Sequence, residues 1–223
     1  CTAFVRGRAT GTREIDACRP ESLAGRVDAI VLTGGSAYGL AAADGVARWL
    51  EAHQRGLSVW PGVVPIVPAA VIFDLLPLGR FDARPTPKMG GTACETASKV
   101  VAEGSVGAGT GATVGKALGL MSAMKGGVGT WSVGYGEVVV GAIAVVNAFG
   151  NVTDSAGKII AGARSDDGGF VGTAAYLAKG GLTRGAFSPP HRISSHNTTL
   201  VVVATNASLN RLELRGVAQA GVD

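Results

Sequence analysis

The stretch His196-Asn197-Thr198-Thr199-Leu200-Val201-Val202-Val203-Ala204-Thr205-Asn206 places two hydroxyl residues at the mouth of a strongly apolar, β-branched run. β-Branched side chains favour extended backbone, so residues 200–204 read as a buried strand with Thr198 at its entrance. The Asn197–Thr198 bond then stands where a chain can cut itself. The Thr198 hydroxyl attacks the preceding carbonyl, the peptide rearranges to an ester, and water releases a new chain that begins at Thr198. The freed α-amine, with a pKa of roughly 7.7–8.0, serves as the hydroxyl's own base. On these residues alone, the competing reading is an edge residue capping a core strand.

Composition narrows the rest. A chain of 223 residues, 47% hydrophobic and 16% charged, is long enough to bury a real core. With aromatics at 5%, the apolar content is Ala, Val, Leu and Ile, which suits closely packed helix and sheet layers. The 35 glycines follow no Gly-X-Y period and point to tight turns and close backbone approaches. A net charge of +4, with Lys88, Lys99, Lys116, Lys125 and Lys158 scattered and no aromatic platforms between them, argues against a nucleic-acid partner. No apolar run reaches the roughly 18 residues needed to span a bilayer, so no membrane partner is expected. Cys1, Cys18 and Cys94 form neither a CxxC nor an even framework, which fits a reduced, cytoplasmic setting without zinc. Cys1 is a second possible nucleophile, but polar, Arg-rich residues follow it where a strand is wanted.

Along the chain, Ala29-Ile30-Val31-Leu32-Thr33 reads as a short buried strand ending in Gly34-Gly35-Ser36. A helix follows to about His53, with Leu40, Ala43, Ala47 and Leu50 on one face and Ser36 as its N-cap. Residues 63–75, broken by Pro65 and Pro68, read as an extended segment at a sheet margin. A second helix is expected over 91–103. Strands over 128–133 and 136–147 pair through Gly134-Tyr135-Gly136, and a short hairpin over 152–160 turns at Ser155-Ala156-Gly157. Residues 164–195 read as a long loop around one short helix. The strand over 199–205 and a helix from Leu209 close the chain. The helical pattern is still running at Asp223, so the natural C-terminus is expected to lie further on. Strands interleaved with helices make the chain α/β or α+β, one domain over residues 1–223.

Gly107-Ala108-Gly109-Thr110-Gly111-Ala112-Thr113-Val114-Gly115-Lys116 invites a phosphate-loop reading. That loop requires Gly where Thr110 stands and a hydroxyl where Ala117 stands, and no apolar strand leads into it. Bare backbone amides and one cation, Lys116, lining a pocket for an oxyanion fit the residues better. His196, next to the scissile bond, is placed to assist the cut.

Taken in order, Leu32-Thr33-Gly34-Gly35-Ser36-Ala37-Tyr38-Gly39-Leu40, the glycine loop through Lys116, Val145-Val146-Asn147-Ala148 and Asn197-Thr198-Thr199-Leu200 resemble the DmpA-type aminopeptidases. That family includes β-aminopeptidases and the nylon-oligomer hydrolase. The match runs from about Ala29 to the end of the chain. The resemblance implies a four-layer αββα sandwich of the kind shared with ornithine acetyltransferase, cut at Asn197–Thr198 into a large and a small subunit. It implies a homo-oligomer of cleaved protomers, small peptides or related amides as substrates, and no metal or organic cofactor. Carried over by motif, Thr198 is the nucleophile, Asn147 the side-chain donor to the oxyanion, Lys116 a neighbour of the nucleophile, and Tyr38 a residue against the reacting centre. Thr198, where most aminopeptidases of the family have Ser, places the chain nearer the nylon-oligomer hydrolase branch. Phe73 stands where a family tyrosine is expected, and further acidic or hydroxyl partners belong beyond the final helix. Two alternatives stay open: an acyltransferase of the ornithine-acetyltransferase type, and a non-catalytic oligomeric ligand-binding protein of the same fold.

Overall fold

The β-branched run is a strand, and it adds itself to the long hairpin that precedes it in sequence. The computed structural model describes residues 1–7, 9–76, 80–181 and 197–222. In chain order the strands are β1 (Thr12–Arg13), β2 (Val31–Thr33), β3 (Leu57–Val59), β4 (Gly62–Val64), β5 (Ala69–Val71), β6 (Thr113–Val114), β7 (Met124–Lys125), β8 (Gly127–Tyr135), β9 (Val138–Asn147), β10 (Val152–Thr153), β11 (Ile159–Ala161) and β12 (Thr198–Thr205). The α-helices are α1 (Ala42–Ala52), α2 (Pro87–Glu95), α3 (Thr173–Ala178) and α4 (Arg211–Ala220). The fold is mixed, α+β. Residues 182–196, which hold His196 and the second half of the expected loop, lie outside the described residues. Among those that are described, no helix is long and apolar enough to cross a membrane.

Two three-stranded sheets frame the molecule. One is antiparallel, in the order β12-β9-β8, with Thr198 opposite Asn147 at one end and Thr205 opposite Val140 at the other. Its hairpin turns at Gly136-Glu137, because Tyr135 still pairs with Val138 and Gly136 takes the positive φ of 58° that a two-residue turn needs. The second sheet has the order β1-β5-β2, with β2 parallel to β5. The segment expected at a sheet margin therefore supplies the middle strand. Pro65 and Pro68 fall in the link from β4 to β5, where the ladder asks for no N–H from them, and the Pro68 carbonyl accepts the Val31 N–H at 2.9 Å.

Alternation along β5 and its flanks sends side chains to two cores. Val67 and Ala69 pack with Ala43, Val46 and Leu50 of α1, and Val31, Trp49 and Cys94 close around them. Ile72 faces the other way, meeting Ala112 and Val145, with Leu32, Val128 and Leu200 at the edge. The second cluster joins the two sheets face to face. On the far side of β12, the end of α4 comes against Val203, which lies 3.4 Å from where a Cβ on Gly221 would sit.

Two helices depart from the expected bounds. The helix after Gly34-Gly35 opens as a 3-10 segment, Ser36–Ala41, before α1 begins, and Ser36 makes no side-chain capping bond. Ser36 instead holds a positive φ of 52° and donates its N–H to the Ile72 carbonyl at 3.0 Å. α2 starts four residues earlier than 91 because Thr86 caps it by accepting from the Met89 N–H and Pro87 occupies its first position. It ends at Glu95, where hydroxyl residues turn inward on their own backbone: Thr96 donates to the Thr92 carbonyl and Ser98 bonds both the N–H and the carbonyl of Val100.

Candidate active site

The end of β9 and the start of β12 meet at the mouth of the inter-sheet core. Directly opposed residues of an antiparallel pair share a face, with Cβ atoms about 4.5–5.5 Å apart. Asn147 and Thr198 are such a pair, and Val145 and Leu200, the next pair on that face, belong to the core between the sheets. Thr198 and Asn197 are partly buried. Asn147 is 1% exposed and Lys116 0% exposed.

The glycine loop delivers Lys116. After a 3-10 turn at Gly107–Gly109 the chain runs into β6 instead of a helix, which removes the phosphate-loop reading. Gly115 then turns the chain with a φ of 71°, and a Cβ there would lie 1.9 Å from the Ala163 nitrogen, so no other residue fits. The N–H groups of Gly115 and Lys116 bond the carbonyls of Gly150 and Phe149, both at 2.8 Å. This stitches the loop to the residues that follow β9.

The Asn147 amide is bonded at both ends. Its Oδ1 accepts from Lys116 Nζ at 2.8 Å, from the Thr113 N–H at 3.0 Å and from Thr113 Oγ1 at 3.4 Å. Its Nδ2 donates to the Phe73 carbonyl at 2.9 Å, and Lys116 Nζ also donates to the Asn147 carbonyl at 3.2 Å. These bonds distinguish the oxygen of the amide from its nitrogen and fix its plane. A cation on Oδ1 withdraws electron density from the amide and makes its N–H protons better donors. Burial pushes the Lys116 ammonium down from 10.5 to about 8, since a low-dielectric surrounding penalises the charged form.

Three of the residues singled out in the sequence, Lys116, Asn147 and Thr198, are thus brought to one place, with Asn197 on its doorstep. Tyr38 is not among them. It is 53% exposed, the Arg84 guanidinium lies 3.5 Å from its ring centroid, and Phe81 meets it edge-on. Sequence reading missed Thr113 and the Phe73 carbonyl. Thr113 was visible as the hydroxyl three residues before Lys116, whereas a backbone carbonyl leaves no mark in a sequence. The three cysteines are free, and Cys1 is exposed. Among the described residues, no three His, Cys, Asp or Glu side chains gather as a metal site would require.

Comparison with known proteins places the chain among relatives named as aminopeptidases. An uncharacterized aminopeptidase of Mycobacterium tuberculosis H37Rv is 46% identical over 224 residues, which covers 98% of this chain and 61% of the relative. One from Mycobacterium leprae is 44% identical over 239 residues, 98% of this chain and 59% of the relative. The chain therefore spans about three fifths of the length of the curated relatives it matches. The crystal structure of the PH0078 protein from Pyrococcus horikoshii OT3 overlays with a TM-score of 0.51 at 22% identity, over 82% of this chain and 43% of that one, a likeness of fold. The sequence pattern of Peptidase family S58 matches residues 1–223, and the chain belongs to that family.

Proposed function

We propose that the chain is an autoprocessed N-terminal-threonine hydrolase, an aminopeptidase or amidase acting on small peptides or related amides, aminohexanoate oligomers included. The observation that carries this reading is the β9–β12 register, which sets Thr198 opposite Asn147 where buried Lys116 bonds the Asn147 amide.

Maturation comes first. Thr198 Oγ attacks the Asn197 carbonyl carbon, the C–N bond breaks, and the acyl group passes from nitrogen to oxygen as an ester. Water then cleaves the ester, leaving a carboxylate on Asn197 and a free amine on Thr198. Before the cut no α-amine exists, and Lys116, held near 8 by burial, supplies a neutral fraction to take the hydroxyl proton. In the mature enzyme the Thr198 amine is the base. Like-charge repulsion from Lys116 favours its neutral form. The hydroxyl then attacks the substrate carbonyl, Asn147 Nδ2 donates to the developing oxyanion, and the leaving amine takes the proton back from the Thr198 ammonium. Water releases the acyl group from Thr198. Nucleophile, base and donors all come from the chain, and the reading calls for no metal or organic cofactor.

Helices α1 and α2 on one sheet and α4 against the other support a four-layer αββα sandwich. The highly exposed Trp60, Trp131 and Tyr135 suit a homo-oligomer of cleaved protomers, and three free cysteines suit the cytoplasm. The test is product analysis on matured protein given aminoacyl amides and aminohexanoate dimers. Free amine and free acid are expected, retained in Thr198→Ser and abolished in Thr198→Ala. Acyl transfer to an added amine in preference to water would replace hydrolase by acyltransferase. Binding without turnover would leave a ligand-binding protein.

A further inference from the structure

Asp74 takes no part in the chemistry proposed for Thr198, yet the chain is shaped around it. It follows Phe73 just past the end of β5, and its Oδ1 accepts the Gly35 N–H at 2.6 Å. Its Oδ2 fills the space that a side chain would need at two other positions. A Cβ built on Gly34 would lie 2.4 Å from that oxygen, and one built on Gly111 would lie 2.5 Å from it. Real Cβ atoms do not come so close, so the carboxylate is seated between two segments that leave room for it only as glycine.

Those segments lead to the Asn147 amide. Gly111 is two residues from Thr113, which donates to Asn147 Oδ1 from its N–H and its hydroxyl. Phe73, adjacent to Asp74, gives its carbonyl to Asn147 Nδ2. On the remaining side the Ser36 N–H bonds the Ile72 carbonyl and the Ile72 N–H bonds the Thr33 carbonyl, at 3.0 and 2.9 Å. Ser36 sits at a φ of 52°, a backbone state that a non-glycine residue keeps only when its surroundings hold it there.

We infer that Asp74 is the positioning residue of this site: its carboxylate, wedged between Gly34-Gly35 and Gly111, fixes the Phe73 carbonyl and the Thr113 amide and so aims the Asn147 donor. The inference rests on the reading of Asn147 as an oxyanion donor, but its first test does not. In the uncleaved Thr198→Ala protein, the Asn147 side-chain amide gives two proton signals whose shifts and solvent exchange report its bonds. Asp74→Ala should move both signals and speed their exchange. Asp74→Asn, which keeps the acceptor for Gly35 and the size of the wedge, should restore them. Should Asp74→Ala fail to fold, Gly111→Ala disturbs the same wedge from the opposite side and should move the same signals. Unmoved Asn147 signals in whichever of the two folds overturn the inference.

A second test reads turnover on matured protein. Losing an oxyanion donor costs about 10²–10³ in kcat, and misaiming it should cost about tenfold with KM little changed. Asp74→Ala should have no further effect on kcat once Asn147 is Ala, because the group it aims is gone. Losses that multiply would overturn the positioning role, while leaving Asn147 in place. An Asn147→Ala enzyme with wild-type turnover would instead sink the functional reading.

Discussion

Lys116 offers a perturbation whose size follows from its burial. Folded, its ammonium titrates near 8; unfolded, near 10.5. Below pH 8 both states carry the proton, and the folded state bears the full cost of a buried charge. Between pH 8 and 10.5 the unfolded state binds one more proton than the folded state, so stability rises with pH across that window. At about 1.4 kcal/mol per pH unit, the gap corresponds to about 3 kcal/mol. Lys116→Met keeps the length of the side chain and removes the titration. Urea unfolding of both proteins, each in the uncleaved Thr198→Ala background, would be followed from pH 7 to 10.5. The protein that retains Lys116 should gain about 3 kcal/mol on the Lys116→Met variant over that range, most of it above pH 8. Packing differences between Lys and Met add a constant and cancel from the slope, as do the other titrating groups. A stability difference that stays flat with pH would refute the buried-charge account of this residue.

Other outcomes follow from single contacts. Asn147→Ala, assayed on matured protein, should lower kcat by about 10²–10³ with KM little changed, since the donor acts mainly on the transition state. Gly45→Ala should destabilise the fold by about 1–3 kcal/mol in chemical denaturation, because its Cβ would fall 1.7 Å from the Pro87 carbonyl oxygen and force α1 away from α2. Asn210→Ala should cost about 1 kcal/mol by the same measurement. It removes a capping box in which the Asn210 side chain accepts from the Leu212 and Glu213 N–H groups while Glu213 bonds the Asn210 N–H.

The elements legible in the sequence were those whose signal is local. The β-branched run of β12 and the Asp154-to-Lys158 turn were found where expected, although β12 is partly buried rather than buried. The β8–β9 hairpin was found too, but its turn falls at Gly136-Glu137, with Gly134 and Tyr135 still paired in β8. The Thr198–Lys116–Asn147 grouping was legible by motif, while its geometry was not: nothing in the order of residues says that Thr198 and Asn147 are paired across two strands. The place of β5 was hidden for the same reason. Two prolines argued for an edge, and only the fold shows that they precede β5, where no N–H is required of them. Tyr38 was read from its position after a strand-to-helix turn. The 3-10 segment that replaces the first helical turn presents it instead to Arg84 and Phe81. The Asp74 wedge depends on three glycines from two distant segments, a relation no periodicity reveals.

The central claim is that Thr198 becomes an N-terminus by its own attack on the preceding bond. Intact-mass measurement with N-terminal sequencing of purified protein, run beside Thr198→Ala, tests it most directly. The account predicts two fragments, the smaller beginning Thr-Thr-Leu-Val, and a single uncut chain in the variant. A wild-type chain that stays whole, or a Thr198→Ala chain cut at the same bond, would contradict it.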